Sequence, residues 1–104
     1  MKHIAILLSI LFVRTVSAQS PSVAQVCDKA EYLIAMRDGV RLHTTVYTPK
    51  DATDAPILIQ RTPYGCAPYG AGRFPKGLEK GYLRTYLDAG YILVFQDVRG
   101  RYMS

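Results

Sequence analysis

Hydrophobic and polar positions change their rhythm several times along this chain. Ile4 to Val13, "IAILLSILFV", is an unbroken apolar run. Residues 19–30, "QSPSVAQVCDKA", are mostly small and polar and predict a loose N-terminal lead. Two β-prone runs follow, Tyr32–Met36 and Val40–Tyr47, and between them lies Asp38-Gly39, a favoured pair for a tight hairpin turn. Val40, Leu42, Thr44 and Val46 alternate with Arg41, His43, Thr45 and Tyr47. This period of two predicts an antiparallel hairpin with one buried and one wet face, with His43 at the strand surface.

The second half predicts a different unit. "KDATDAP" is a charged surface connection, and Ile57–Gln60 is a short apolar strand. "RTPYGCAPYGAGRFPKG" is too rich in Gly and Pro for a regular element; at about seventeen residues it is a long connection, a kind that is often functional. Leu78, Tyr82, Leu83, Tyr86 and Leu87 recur at helical spacing, with Gly90 where the helix would stop, so both tyrosines are expected to face the core. "YILVF" (91–95) is apolar on both faces, as a central strand of a parallel sheet would be. Strand, helix and strand in this order make a βαβ unit. The predicted fold class is α/β: an antiparallel hairpin, then a βαβ unit of a mostly parallel sheet.

Composition adds the compartment. The apolar run 4–13 is preceded by Lys2 and His3 and followed by "TVSA", with small residues at Val16 and Ala18. A run this short cannot span a bilayer, which takes about 20 residues. Residues 1–18 therefore predict a signal peptide cleaved after Ala18, a secreted or periplasmic protein and no stable membrane anchor. Removing Lys2 and Arg14 leaves 11 basic residues against 8 acidic ones, a net charge of +3. No basic stripe accompanies that excess, which argues against nucleic acid as a partner. An oxidising compartment leaves two readings open for Cys27 and Cys66: one disulfide, or two free thiols. Without a CxxC pair, and with one histidine beyond the leader, no metal site is expected.

In α/β sheets the site lies beyond the carboxyl ends of the strands. Two segments emerge there, "RTPYG" (61–65) and "QDVRGRYMS" (96–104), and Tyr64 falls where a site would be.

"MRDGVRLHTTVYTP", then "RTPYG", then "GYILVFQDVRGRYMS" resemble, in that order, the CocE/NonD hydrolases, a peptidase S15-type group of Xaa-Pro dipeptidyl-peptidases and acyl esterases. The resemblance runs from Glu31 to Ser104. It implies that residues 31–104 are an incomplete N-terminal part of an α/β-hydrolase domain, acting through a Ser-Asp-His triad. It also implies that the Tyr64 hydroxyl serves the oxyanion hole, where a preorganised donor stabilises developing negative charge. Asp97 and Arg99 are then expected to pair and shape the mouth of the site, with Arg61 anchoring its loop.

The nucleophile elbow of this fold, G-x-S-x-G, is absent. Ser20, Ser22 and Ser104 lie in no such context, and "GRYMS" departs from the family at the point where an acidic residue and a glycine usually follow. His43 lies on an early strand, whereas the triad order is Ser, acid, His, so the catalytic histidine should come last. The expectation is the N-terminal piece of a secreted serine hydrolase acting on a small acyl ester or peptide, inactive by itself and without cofactor or metal. The alternative is a truncated, catalytically inert remnant or binding module.

Overall fold

A computed structural model describes residues 21–104. The signal peptide expected at 1–18 lies outside the described residues. The element order is α1 (Val23–Val26), β1 (Cys27–Ala35), β2 (Arg41–Pro49), β3 (Ile57–Thr62), α2 (Gly77–Lys80), α3 (Tyr82–Asp88) and β4 (Ile92–Asp97). The four strands form one mixed sheet in the order β1-β2-β4-β3. β1 and β2 pair antiparallel, β2 and β4 antiparallel, and β3 and β4 parallel. This is the α/β architecture expected, hairpin first and βαβ unit second.

The hairpin closes at Asp38-Gly39 for a backbone reason. The Met36 carbonyl accepts from Gly39 N–H at 2.9 Å, and Met36 N–H donates to Val40 at 2.7 Å. Gly39 has φ +85°, a left-handed conformation that glycine adopts without steric cost. The turn residues are Arg37, Asp38 and Gly39, which is the three-residue form of hairpin loop.

Three expectations are corrected here. β1 begins at Cys27, and Val23 is fully buried, so residues 22–30 are built into the fold and are not a loose lead. The hairpin's polar-looking face is not wet. His43, Thr45 and Tyr47 are exposed by only 6%, 0% and 1%. β2 is an inner strand with neighbours on both sides, and its odd-numbered side chains face the helices and the 63–76 loop. The tyrosines of α3 turn outward, Tyr82 at 70% and Tyr86 at 40% exposure, while Leu78 and Leu87 enter the core.

The helical segment is also broken in two. Gly81 sits between α2 and α3 with extended ψ −178°, and a Cβ there would lie 2.6 Å from the Gly77 carbonyl oxygen. Only glycine fits that approach. The break turns the helical face, which is why the leucines keep the core and the tyrosines lose it.

Core residues Val23, Cys27, Tyr47, Leu78, Leu87 and Leu93 cluster on one side of the sheet. Among the described residues, all three helices pack there. Arg84 of α3 is buried too; its guanidinium donates to Asp88 at 2.8 Å and to the Pro21 carbonyl at 2.7 Å, tying the start of the described chain to α3.

Candidate functional site

The carboxyl ends of β3 and β4 are adjacent, because the parallel register places Thr62 opposite Asp97. The antiparallel register of β2 on β4 sets Thr44 against Gln96 and therefore brings His43 alongside Asp97. Directly paired residues share a face of the sheet. Thr62, His43 and Asp97 are thus delivered by three strands to one spot, under the loop that runs from Pro63 to Lys76.

Asp97 is the hub. It has no solvent exposure. One carboxylate oxygen accepts from the Cys66 thiol at 3.0 Å, and the other from the Tyr69 hydroxyl at 2.8 Å and from Met103 N–H at 3.4 Å. Its backbone carbonyl accepts from the Ser104 hydroxyl at 2.8 Å, which in turn accepts from His43 N–H at 2.9 Å. One buried carboxylate therefore joins the loop after β3 to the segment after β4. Burial, then the neighbouring carboxylate, pushes both the Cys66 thiol and the Tyr69 phenol up to about 12, so both stand protonated as donors.

A second clasp holds the same loop to β1. Lys29 Nζ donates to the carbonyls of Pro68 at 2.6 Å, Gly70 at 3.0 Å and Arg73 at 2.6 Å. Glu31, 3.4 Å from that ammonium, accepts from Gly70 N–H at 2.7 Å. Burial works to raise the Glu31 pKa, but the Gly70 hydrogen bond and Lys29 prevail and hold it below the ordinary carboxylate value.

The expected site residues separate into different surroundings. Tyr64 lies two residues past β3 with 83% of its surface exposed, so it is not a ring packed under the loop. Its backbone N–H donates to Thr62 Oγ1 at 3.0 Å, fixing the turn that projects it. Arg61 is exposed on β3, which is an edge of the sheet. Arg99 does not pair with Asp97; it forms a two-pronged pair with Asp38 of the hairpin turn, at 2.6 and 3.3 Å. Asp97 is already saturated by neutral donors beneath the loop, and Arg99 lies beyond it on the surface. Cys27 and Cys66 are both free and are not bridged. Cys27 packs in the core against the helices, whereas Cys66 hangs from the loop onto Asp97.

Lys29, Glu31, His43, Cys66 and Tyr69 were missed as parts of a site. One signal for Tyr69 was available: Pro68-Tyr69-Gly70 repeats Pro63-Tyr64-Gly65 five residues on. The two tyrosines part company, one outward to solvent and one inward to Asp97. Nothing in the pattern marks Lys29 or Glu31, whose side chains look like ordinary strand-surface charges.

This arrangement is a rigid mount. It holds a loop with an outward phenol at the strand ends, and the Ser104 hydroxyl is engaged by backbone groups on both sides, with no side-chain base bonded to it among the described residues.

The comparisons with known proteins agree with this geometry. The X-Pro dipeptidyl-peptidase (S15 family) profile matches residues 38–104. Cocaine esterase of Rhodococcus sp. (strain MB1 Bresler) is 32% identical over 72 residues, which is 69% of this chain and 12% of that protein. Among solved structures, a selenomethionine-labelled α-amino acid ester hydrolase matches with TM-score 0.66 and 35% identity, over 90% of this chain and 16% of its own. An aminopeptidase from a marine sediment archaeon, Thaumarchaeota archaeon, matches with TM-score 0.59 and 34% identity, over 85% of this chain and 15% of its own. The chain spans less than a fifth of the length of each of these relatives. A profile match across residues 38–104, on a sheet whose strand ends carry the two expected loops, establishes that the chain belongs to the X-Pro dipeptidyl-peptidase (S15) family of hydrolases.

Proposed function

We propose that the chain is the N-terminal part of an exported serine hydrolase that cleaves esters or amides, with its Ser-Asp-His triad contributed by residues beyond Ser104. In that enzyme a serine attacks the acyl carbon, and Tyr64 donates its hydroxyl to the oxyanion that forms. The observation that carries this reading is the posture of Tyr64: 83% exposed, just past the carboxyl end of β3, on a loop anchored twice to the sheet. A donor that is fixed beforehand need not reorganise as charge develops, and removing one such donor costs on the order of 100-fold in kcat. The substrate is a small acyl ester or an Xaa-Pro-type peptide, the chemistries named for the relatives.

The test is steady-state kinetics of the enzyme encoded when the reading frame is followed past Ser104, on an aromatic ester and on a proline-containing dipeptide amide. Tyr64→Phe is expected to lower kcat by ~100-fold with a smaller change in KM and an unchanged melt, because the bond tightens mainly in the transition state. Unchanged kcat would remove Tyr64 from the chemistry. The 104-residue chain alone is expected to hydrolyse neither substrate, and exported material is expected to begin at Gln19 on N-terminal sequencing.

A further inference from the structure

His43, Cys66 and Asp97 come from β2, the 63–76 loop and the end of β4, and all three are buried. One potential ligand atom from each lies within 4.8 Å of the others. Cys66 Sγ is 3.0 Å from Asp97 Oδ1, and His43 Nδ1 is 3.9 Å from Asp97 Oδ2. A tetrahedral zinc ion, with bonds of about 2.0 Å to N and O and about 2.3 Å to S, holds its ligand atoms roughly 3.3–3.8 Å apart. The two short distances run to different Asp97 oxygens and the full set of three atoms fits within 4.8 Å, so binding would draw the side chains slightly inward to reach that triangle.

Two further observations point to a ligand there. His43 Nδ1 is buried with no hydrogen-bond partner, on a side chain only 8% exposed, and it faces Asp97. A buried polar atom without a partner is costly, and metal coordination is one way to satisfy it. Asp97 is itself a fully buried carboxylate, and among the described residues no Lys or Arg comes within 4.0 Å of it; its nearest ionisable nitrogen is His43.

We propose that His43 Nδ1, Cys66 Sγ and the Asp97 carboxylate form a binding site for a single Zn2+-class cation, with water as the fourth ligand. Sulfur and imidazole donors select zinc or cobalt over magnesium or calcium, which take oxygen ligands. On binding, the Cys66 S–H bond breaks and the S–metal bond forms, with the proton leaving to solvent. Imidazole stays neutral with its proton on Nε2. A divalent cation with one thiolate and one carboxylate leaves the buried site uncharged.

The surroundings fit this role. His43 Nε2 is 4.0 Å from Glu31 Oε2, too long for a hydrogen bond but near enough for that carboxylate to close on the Nε2 proton when Nδ1 is ligated, and the Tyr69 hydroxyl at 2.8 Å holds the Asp97 carboxylate from behind. A recess lined by Glu31, Tyr32, Leu33, His43, Tyr69 and Met103 opens on the imidazole and supplies access. The ligands are 23 and 31 residues apart in sequence, which is why no metal-binding spacing is visible there.

The test is a cobalt titration of the full 104-residue chain, chelator-stripped and kept reduced with a phosphine. The expected result is one Co2+ per chain, a thiolate-to-cobalt charge-transfer band and the strong visible bands of tetrahedral cobalt, all abolished by one equivalent of Zn2+. Cys66→Ser should remove the charge-transfer band, and His43→Gln should weaken zinc binding at least 10-fold. Cys27→Ser should change neither, and Tyr69→Phe should weaken binding through the Asp97 carboxylate. Circular dichroism accompanies each variant; if Cys66→Ser loses its fold, His43→Gln and Tyr69→Phe decide. Absence of a charge-transfer band in the parent chain, a band that follows Cys27, or binding that is indifferent to His43 would overturn the site.

Discussion

Replacing Lys29 by methionine tests the mounting of the loop directly. The side chain keeps its stem, which lies beneath the loop at 1% exposure with the ammonium 5.7 Å from the Tyr47 ring centroid, and loses only the charge. Three carbonyls lose their donor. Arg73 O lies at an exposed site and rehydrates at little cost, whereas Pro68 O and Gly70 O are partly buried. A partly buried acceptor left without its charged donor costs about 1–1.5 kcal/mol, which makes roughly 2–3 kcal/mol for the pair. Glu31 keeps its bond from Gly70 N–H and 26% of its surface, so loss of the ion pair adds under about 1 kcal/mol. The expected destabilisation is ~3 kcal/mol, about half the stability of a marginal small domain.

The chain has no tryptophan, so urea unfolding is best followed by far-ultraviolet circular dichroism. The midpoint should fall with the slope unchanged, as for a change in stability without a change in compactness. Lys80→Met, at an exposed lysine that closes α2, is the control and should stay within about 0.5 kcal/mol of the parent. Trypsin supplies a local readout. Lys29 holds the Arg73 carbonyl, which belongs to the bond trypsin cleaves, so cleavage there should accelerate in Lys29→Met below the unfolding transition. If Lys29→Met and Lys80→Met unfold at the same urea concentration, the carbonyl clasp contributes nothing and the loop is held by Asp97 alone.

β3 is an exposed edge of the sheet: β4 has partners on both sides, as the apolar run 91–95 implied, while Ile57, Leu58 and Ile59 are 64%, 37% and 50% exposed on a strand paired on one side only. Such an edge templates association, so the isolated chain should sediment as oligomers and Ile59→Lys should shift it towards monomer; a monodisperse parent monomer would contradict this. Burial raises the Cys27 thiol to about 11, ahead of the smaller effect of Asp28, and raises Cys66 to about 12. Both thiols should therefore resist a disulfide reagent at pH 8 and react together once urea unfolds the chain, whereas fast native labelling of either would show that it is not buried as described.

What could be read from the sequence follows a physical division. Turn chemistry and long apolar runs are local properties, so the Asp38-Gly39 hairpin, the β3 and β4 strands and the stop at Gly90 were all legible. That both faces of β2 would be covered was not: Leu42 and Thr44 are buried as the alternation implies, at 9% and 2%, but so are His43, Thr45 and Tyr47. His43, Thr45 and Tyr47 alternate with Leu42, Thr44 and Val46, and an isolated hairpin would bury the latter set. The outcome is set by what the next sixty residues lay against the strand, and the Gly/Pro-rich loop brings its own polar partners for the less apolar face. Arg99 was misassigned for a similar reason. Two residues from Asp97 in sequence, it finds its carboxylate 61 residues away on the hairpin turn. The break at Gly81 was hidden because the leucine and tyrosine spacing continues straight through it.

The same division explains why the Gly/Pro-rich loop after β3 is so heavily tied down. A seventeen-residue segment rich in Gly and Pro has few backbone hydrogen bonds of its own, and each residue held in one conformation costs about 1–2 kcal/mol of entropy. The tether must therefore come from outside the loop. It comes from the covered face of the sheet: Lys29 and Glu31 on β1 take the far half of the loop through its backbone, and Asp97 on β4 takes the near half through Cys66 and Tyr69. These groups can be polar because a loop, unlike a helix, leaves its carbonyls and N–H groups unpaired and available. The buried polar face of the hairpin is therefore the natural counterpart of an irregular cover. With both halves of the loop fixed and Tyr64 between Thr62 and Cys66, the phenol is left outward by construction: the neighbouring polar contacts, including that of the Tyr64 backbone N–H with Thr62, draw the chain down to the sheet, and among the described residues none engages the Tyr64 hydroxyl.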